Sequence, residues 1–297
     1  MTEFVFPHDV PPPPVGATPI FRLKPAEVSE PAVQAIAERF DLGRNAKSGI
    51  WRRDTIAISY REGPWELSVF HESGGWRYRD TTRWQVDDGV SNLAIADAAA
   101  IEIAETHVER LGLARRDERV VLEVTRLHVG VAEKATGYAE ERIIDVAVAF
   151  QRVIEGVRVE GAGGKIVVYL DAAGAVTGID RLWREIQDVQ AVTRLRDPRT
   201  ALEDLRKEWG AIGHGRIEVT DLRLSYVEHD WRTAQSHLQP MYVMPLKVRS
   251  YNHRFVSGSE HVVPAAVDYV ESWRRTPEDT MSPPPPSVAP RPAPKAE

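Results

Sequence analysis

Two stretches decide the fold: Ile143-Ile144-Asp145-Val146-Ala147-Val148-Ala149-Phe150 and Lys165-Ile166-Val167-Val168-Tyr169-Leu170. In the first, Ile144, Val146, Val148 and Phe150 alternate with Ile143, Asp145, Ala147 and Ala149. A period of two gives a strand one large apolar face. In the second, Ile166, Val168 and Leu170 on one side and Val167 and Tyr169 on the other are all apolar, which suits a central strand. Asp171-Ala172-Ala173-Gly174 follows. Asp171 can close an Asx turn and Gly174 can take a positive φ, so a tight hairpin into a strand near 174–180 is expected. Strands near 119–129, 141–153, 157–160 and 165–171 complete this region.

Upstream, a helix is expected over 95–111. Ile101, Ala104, Val108 and Leu111 make its apolar stripe, and Glu102, Glu105 and Glu109 occupy other faces. A first helix is expected over 29–42, with Ser29 as cap, Pro31 in the first turn and Gly43 as terminator. Strands at 53–60, 65–71 and 75–84 follow it. A third helix begins at Asp197-Pro198, carries Leu202, Leu205 and Trp209, and ends at Gly210; strands near 216–227 and 241–251 come next. The segment 181–192 suits a helix or a strand equally. One pattern, a helix and then several strands, thus recurs three times. The fold class expected is α+β, in tandem small units, each a helix packed on an antiparallel sheet. The boundaries expected are a disordered N-terminal tail at 1–16, a first unit at 17–89 and a region at 90–275. That region holds two units, about 90–190 and 191–275, and a Pro-rich disordered tail follows at 276–297. The sharpest cut falls at Asp87-Asp88-Gly89. The proline runs at 11–14 and 283–286 favour extended, solvated chain.

Ile95-Ala96-Asp97-Ala98-Ala99-Ala100-Ile101-Glu102-Ile103-Ala104, closing at Leu111-Gly112-Leu113, is similar to the opening helix of PepSY-type and fungalysin/thermolysin-propeptide modules. Val148 to Val159 resembles the strand, turn and strand of those modules, and Lys165 to Val176 resembles their hairpin. The resemblance covers about residues 91–185. It implies a non-enzymatic module of the kind that sits beside peptidases as inhibitor or folding assistant, or within envelope proteins. Gln239-Pro240-Met241-Tyr242-Val243 and Val262-Val263-Pro264-Ala265-Ala266 look like the C-terminal region of uncharacterised multi-unit bacterial proteins of this type.

The 297 residues carry a net charge of −6 and no cysteine. Disulfides, thiolate catalysis and cysteine-based zinc sites are excluded. The acidic balance disfavours nucleic acid and anionic membranes as partners. The N-terminus lacks a basic and an apolar signal region, and no stretch is long and apolar enough to cross a bilayer, so a cytoplasmic location is expected.

Candidate chemistry is sparse. His71-Glu72 would need a second histidine at 75, which is Gly. Ser257-Gly258-Ser259-Glu260-His261 lacks the strand–elbow–helix context of a nucleophile. Gly161-Ala162-Gly163-Gly164 precedes a strand instead of a helix, so it reads as a wide turn and not a phosphate cradle. His229, Asp230 and Glu228 are the residues a hydrolase assembled from distant parts would use. The densest local feature is Arg/Trp content: Trp51, Arg53, Trp76, Arg77, Tyr78, Arg79 and Trp84 form a possible protein-interaction patch. On 75–84, Trp76, Tyr78 and Asp80 share one face and Arg77 and Arg79 the other, which equally describes a core face opposite a solvated one. The function expected is a non-catalytic protein-binding or regulatory module with no cofactor and a protein partner. The alternatives are a peptidase inhibitor or chaperone-like accessory protein, and a hydrolase.

Overall fold

A computed structural model describes residues 2–7, 10, 16–42, 49–80, 95–133, 137–171, 173–210, 215–249 and 256–268. The expected cut at Asp87-Asp88-Gly89, both proline runs and Trp84 lie outside them. Among the described residues there are seventeen strands and three α-helices. In chain order the first are β1 (Glu3–Val5), β2 (Ala17–Leu23), α1 (Glu30–Glu38), β3 (Ile50–Arg53), β4 (Ala57–Glu62), β5 (Trp65–Phe70) and β6 (Trp76–Asp80). Then come α2 (Asp97–Arg110), β7 (Arg119–Glu133), β8 (Tyr138–Ile154), β9 (Val157–Gly161), β10 (Lys165–Leu170), β11 (Val176–Leu182) and β12 (Ile186–Arg194). The last are α3 (Pro198–Gly210), β13 (Arg216–Val219), β14 (Arg223–Glu228), β15 (His237–Leu238), β16 (Pro240–Arg249) and β17 (Val256–Pro264). A 3-10 turn covers Arg116–Glu118.

The chain divides into two compact units. The larger holds Thr18–Thr193 and Ser225–Pro240; the smaller holds the described parts of Met1–Ala17, Arg194–Leu224 and Met241–Glu297.

In the larger unit, eight strands form one antiparallel sheet in the order β7-β8-β10-β11-β6-β5-β4-β3. One face is apolar and carries both helices. Val33 and Ala37 of α1 and Ala100, Ala104 and Val108 of α2 pack with Tyr60, Leu67, Tyr78, Val148, Phe150, Ile166, Val168 and Ile179 in a single core. The alanines of α2 bring its backbone close to the sheet. Ser29 Oγ accepts from the Ala32 N–H at the start of α1, as its sequence promises. Termination comes earlier than Gly43: Asp41 takes φ +59° and the Leu42 N–H returns to the Ala37 carbonyl. The Asp171 turn closes the β10–β11 hairpin. Asp171 Oδ1 accepts from the N–H groups of Ala173 and Ala175, each at 2.9 Å, and Gly174 has φ +75°. After its hairpin with β8, β9 leaves that strand to pair in parallel with β14. A second sheet of this unit has the order β12-β2-β15, so the ambiguous segment 181–192 is strand at 181–182, the end of β11, and at 186–192.

In the smaller unit the order is β1-β13-β16-β17, with β1 and β13 parallel. Asp197 Oδ1 caps α3 through the Arg199 N–H at 2.9 Å. Ala201, Leu205 and Trp209 pack on Ile217, Tyr242, Met244 and Val263.

The expected fold class is therefore overturned. The described chain is predominantly β, with parallel and antiparallel pairs in its sheets, and it is not a tandem of helix-on-sheet units. Residues 50–80 and 119–182 do not build separate sheets, because β6 pairs with β11 from Gly178↔Arg79 to Arg181↔Trp76. Two closed small sheets would each have left one of these strands with a row of unpaired backbone groups. Side-chain periodicity fixes which face a strand buries but carries no signal about which edge it joins.

Candidate functional site

The face of the larger unit's sheet that carries no helix is the candidate site. Register places on it Arg52, Ser59 and Arg61, then Glu66, Ser68 and Phe70, then Arg77 and Arg79, then Gly178 and Asp180, then Lys165, Val167 and Tyr169. Alternation dictates this assignment, since the same strands send Leu67, Tyr78 and Val168 into the core. The lining is largely polar with aromatic interruptions, unlike the apolar face behind it.

An ordered arginine–aromatic band crosses this face. Arg77 lies over the Trp231 ring at 5.1 Å and the Phe70 ring at 5.9 Å, and those two rings are 4.9 Å apart. Arg79 lies over Tyr169 at 4.1 Å. Asp180 Oδ1 ties the two arginines together, 2.7 Å from Arg79 Nη2 and 3.3 Å from Arg77 Nε. The Tyr169 hydroxyl donates to Asp180 Oδ2 at 3.4 Å, and burial, with Asp180 beside it, pushes its pKa up. Gly178 makes the arrangement possible: a Cβ there would stand 2.8 Å from Arg79 Cδ and 2.9 Å from the Tyr78 carbonyl oxygen. Next to the band, the Ser59 and Ser68 hydroxyls meet at 2.7 Å. Arg52 and Arg61 are exposed beyond them.

The sequence-derived patch splits between the two faces. Trp76 and Tyr78 are core residues, 3% and 6% exposed, with Tyr78 stacked between Phe40 and Trp65. Trp51 leans on Tyr60, and Arg53 pairs with Glu30 of α1. Only Arg77 and Arg79 reach the open face. Sequence reasoning missed Phe70, one hairpin strand away, and Tyr169, Asp180 and Trp231, which lie far away in the chain. Their shared parity on paired strands was the available signal for the first three, but it is unreadable without the strand order.

The residues named for a hydrolase lie in a buried ion-pair cluster and the loop beside it. Glu228 is completely buried. Its Oε1 accepts from the Arg184 backbone N–H at 3.0 Å and from Arg184 Nη1 at 3.2 Å, and Arg152 Nη1 stands 3.8 Å from its Oε2. Burial pushes this carboxyl up while the two guanidiniums pull it down. Arg184 also donates to the carbonyls of His229, Asp230 and Thr233, pinning the loop that presents Trp231. Asp230 Oδ1 accepts from the Arg232 N–H and the Thr233 hydroxyl within that loop, and these bonds hold its pKa down. The glycine-rich stretch 161–164 packs against this cluster. At Gly163 a Cβ would lie 2.6 Å from Glu228 Cγ and 2.7 Å from the His229 carbonyl oxygen.

His71 Nε2 contacts the Asp54 carbonyl at the end of a hairpin. His261 of β17 is buried in the smaller unit. Among the described residues no group of three or more His, Cys, Asp or Glu could hold a metal ion, and no helix is long and apolar enough to cross a membrane.

No family model matches the chain, and no curated protein matches it. A solved structure, that of an uncharacterised protein from Eubacterium rectale ATCC 33656, is similar over 88% of this chain and 86% of its own, with 14% identity and a TM-score of 0.45.

Proposed function

We propose that the protein is a non-catalytic binding module that engages an acidic surface of another protein through the helix-free face of its eight-stranded sheet. The observation behind this reading is the band Phe70–Trp231–Arg77–Asp180–Arg79–Tyr169. Arginine and aromatic side chains are the types enriched at the energetic centres of interfaces. Here they are held in place before any partner arrives, because each guanidinium is fixed by a ring and by Asp180. Preformed geometry lowers the entropy lost on association. Charge gives the partner's chemistry. The face carries Arg52, Arg61, Arg77, Arg79 and Lys165 against Glu66, Glu123, Asp145 and Asp180, whereas the chain as a whole has a net charge of −6. Complementary potential steers encounter with an acidic partner and repels basic ones.

A photo-reactive phenylalanine at Arg61, in the full chain expressed in its source cell, tests this reading. A discrete adduct with an acidic protein is expected there. The same probe at Ala35, on the outer side of α1, is the control. Equal labelling from both positions, or none from Arg61, contradicts the assignment.

A further inference from the structure

A second feature of the larger unit lies away from the open face. Between the C-terminal end of α2 with its 3-10 turn and the segment joining β11 to β12 runs a cleft of about 810 Å³. That is within the range of small-molecule sites, roughly 300–1,000 Å³. Leu113, Trp183 and Ile186 supply apolar wall, and Arg116, Arg152 and Arg181 supply guanidinium groups.

The charge of this lining is unbalanced. Its carboxylates are already engaged: Glu109 by Arg119 at 2.9 Å, Glu118 by Arg115, itself part of the lining, at 3.0 Å and Glu185 by Lys24 at 3.6 Å. Arg116 and Arg181 have no carboxylate at ion-pair distance among the described residues. Arg152 is 5% exposed and shares the carboxylate of Glu228 with Arg184, and Glu118 acts on it from farther away. Arg152 Nε donates to nothing.

Arg181 is the most telling of the three. Its Nε donates to the Leu113 carbonyl at 3.1 Å and its Nη1 to the Trp183 carbonyl at 3.3 Å, so the backbone of both cleft walls fixes the group. Burial brings its pKa down to about 10. Arg181 is half-buried, and Glu185 and Glu228, the carboxylates that act on it, lie beyond ion-pair distance, so an anion arriving in the cleft would be its first direct counter-charge. Arginine's planar fork suits carboxylate and phosphate alike.

We propose that this cleft binds a small organic anion, its carboxylate or phosphate group held by Arg181 and Arg116 and its apolar body lying along Leu113, Trp183 and Ile186.

Calorimetric titration of the full chain tests this with 3-phenylpropionate, phenyl phosphate, the neutral 3-phenylpropanamide and inorganic phosphate. Saturable one-site binding of at least one of the two aromatic anions is expected, with the amide and inorganic phosphate much weaker. The tighter of the two aromatic anions identifies the head group. Arg181→Met should weaken that anion by about tenfold or more, the loss expected for one charge-assisted contact. Arg116→Ala, at an exposed position that leaves the fold intact, should weaken it by about threefold, and Arg158→Ala, elsewhere on the surface, should leave it unchanged. Absence of saturation, equal binding of acid and amide, inorganic phosphate binding as tightly as phenyl phosphate, or undiminished binding in both Arg181→Met and Arg116→Ala would overturn the proposal.

Discussion

At the scale of single residues, buried charges are the most consequential features of this chain. Glu228 is inaccessible to water, and Arg184 supplies most of its hydrogen bonds. Arg184→Met should lower unfolding stability by about 3–5 kcal/mol, because it strands a buried carboxylate and also frees three loop carbonyls. Urea midpoints of the two proteins measure this. Gly163→Ala should destabilise through the same cluster, since the His229 carbonyl is backbone and cannot easily move aside.

His261 offers a test in the smaller unit. Its Nδ1 accepts from the Trp209 indole at 3.1 Å, and burial holds its pKa down to about 4, with Asp204 opposing weakly. Asp204 and Glu208 of α3 are the acids near it, Glu208 Oε2 at 3.8 Å from Nε2. The unfolded chain therefore binds a proton near pH 6.5 that the folded chain refuses until about pH 4. The stabilisation is complete above pH 6.5 and is lost as pH falls towards 4, by on the order of 3 kcal/mol in all. His261→Gln should flatten that part of the pH–stability curve; an unchanged slope would show that other groups carry it.

At the scale of elements, local chemistry was legible and long-range pairing was not. The Ser29 and Asp197 caps, the Asp171 turn and the alternation along 143–150 could all be read, because each depends on neighbours within a few residues. The turn makes its own prediction: Asp171→Ala removes the acceptor of two N–H groups and should cost about 1 kcal/mol in thermal or urea unfolding. The strand order was not legible. Joining β6 to β11 brings together residues about 100 positions apart, and no local pattern encodes that choice. The density of helix-like stripes also misled. Three amphipathic helices suggested three tandem units, while the intervening strands, many of them short, supply most of the regular structure. The candidate site suffered for the same reason. Arg77 and Arg79 stood out by composition, yet their rings and their shared carboxylate come from β5, β10, β11 and the 229–233 loop.

At the scale of the molecule, one sheet has two different faces. The face beneath α1 and α2 is aliphatic and aromatic, and it holds the larger unit together. The opposite face holds arginines and rings in fixed positions that the fold itself does not require to be cationic. Arg52 and Arg61 make the point, since both are exposed and neither supports the core. Reversing both charges should therefore leave folding intact while abolishing attraction to an acidic partner. Affinity capture from source cells with the full chain and with the Arg52→Glu/Arg61→Glu variant, quantified by mass spectrometry, is the most direct measurement. The account predicts an acidic protein retained by the wild-type chain, released by rising salt and depleted about tenfold or more with the variant. Equal retention by both chains, with the variant's fold verified by circular dichroism, would contradict it.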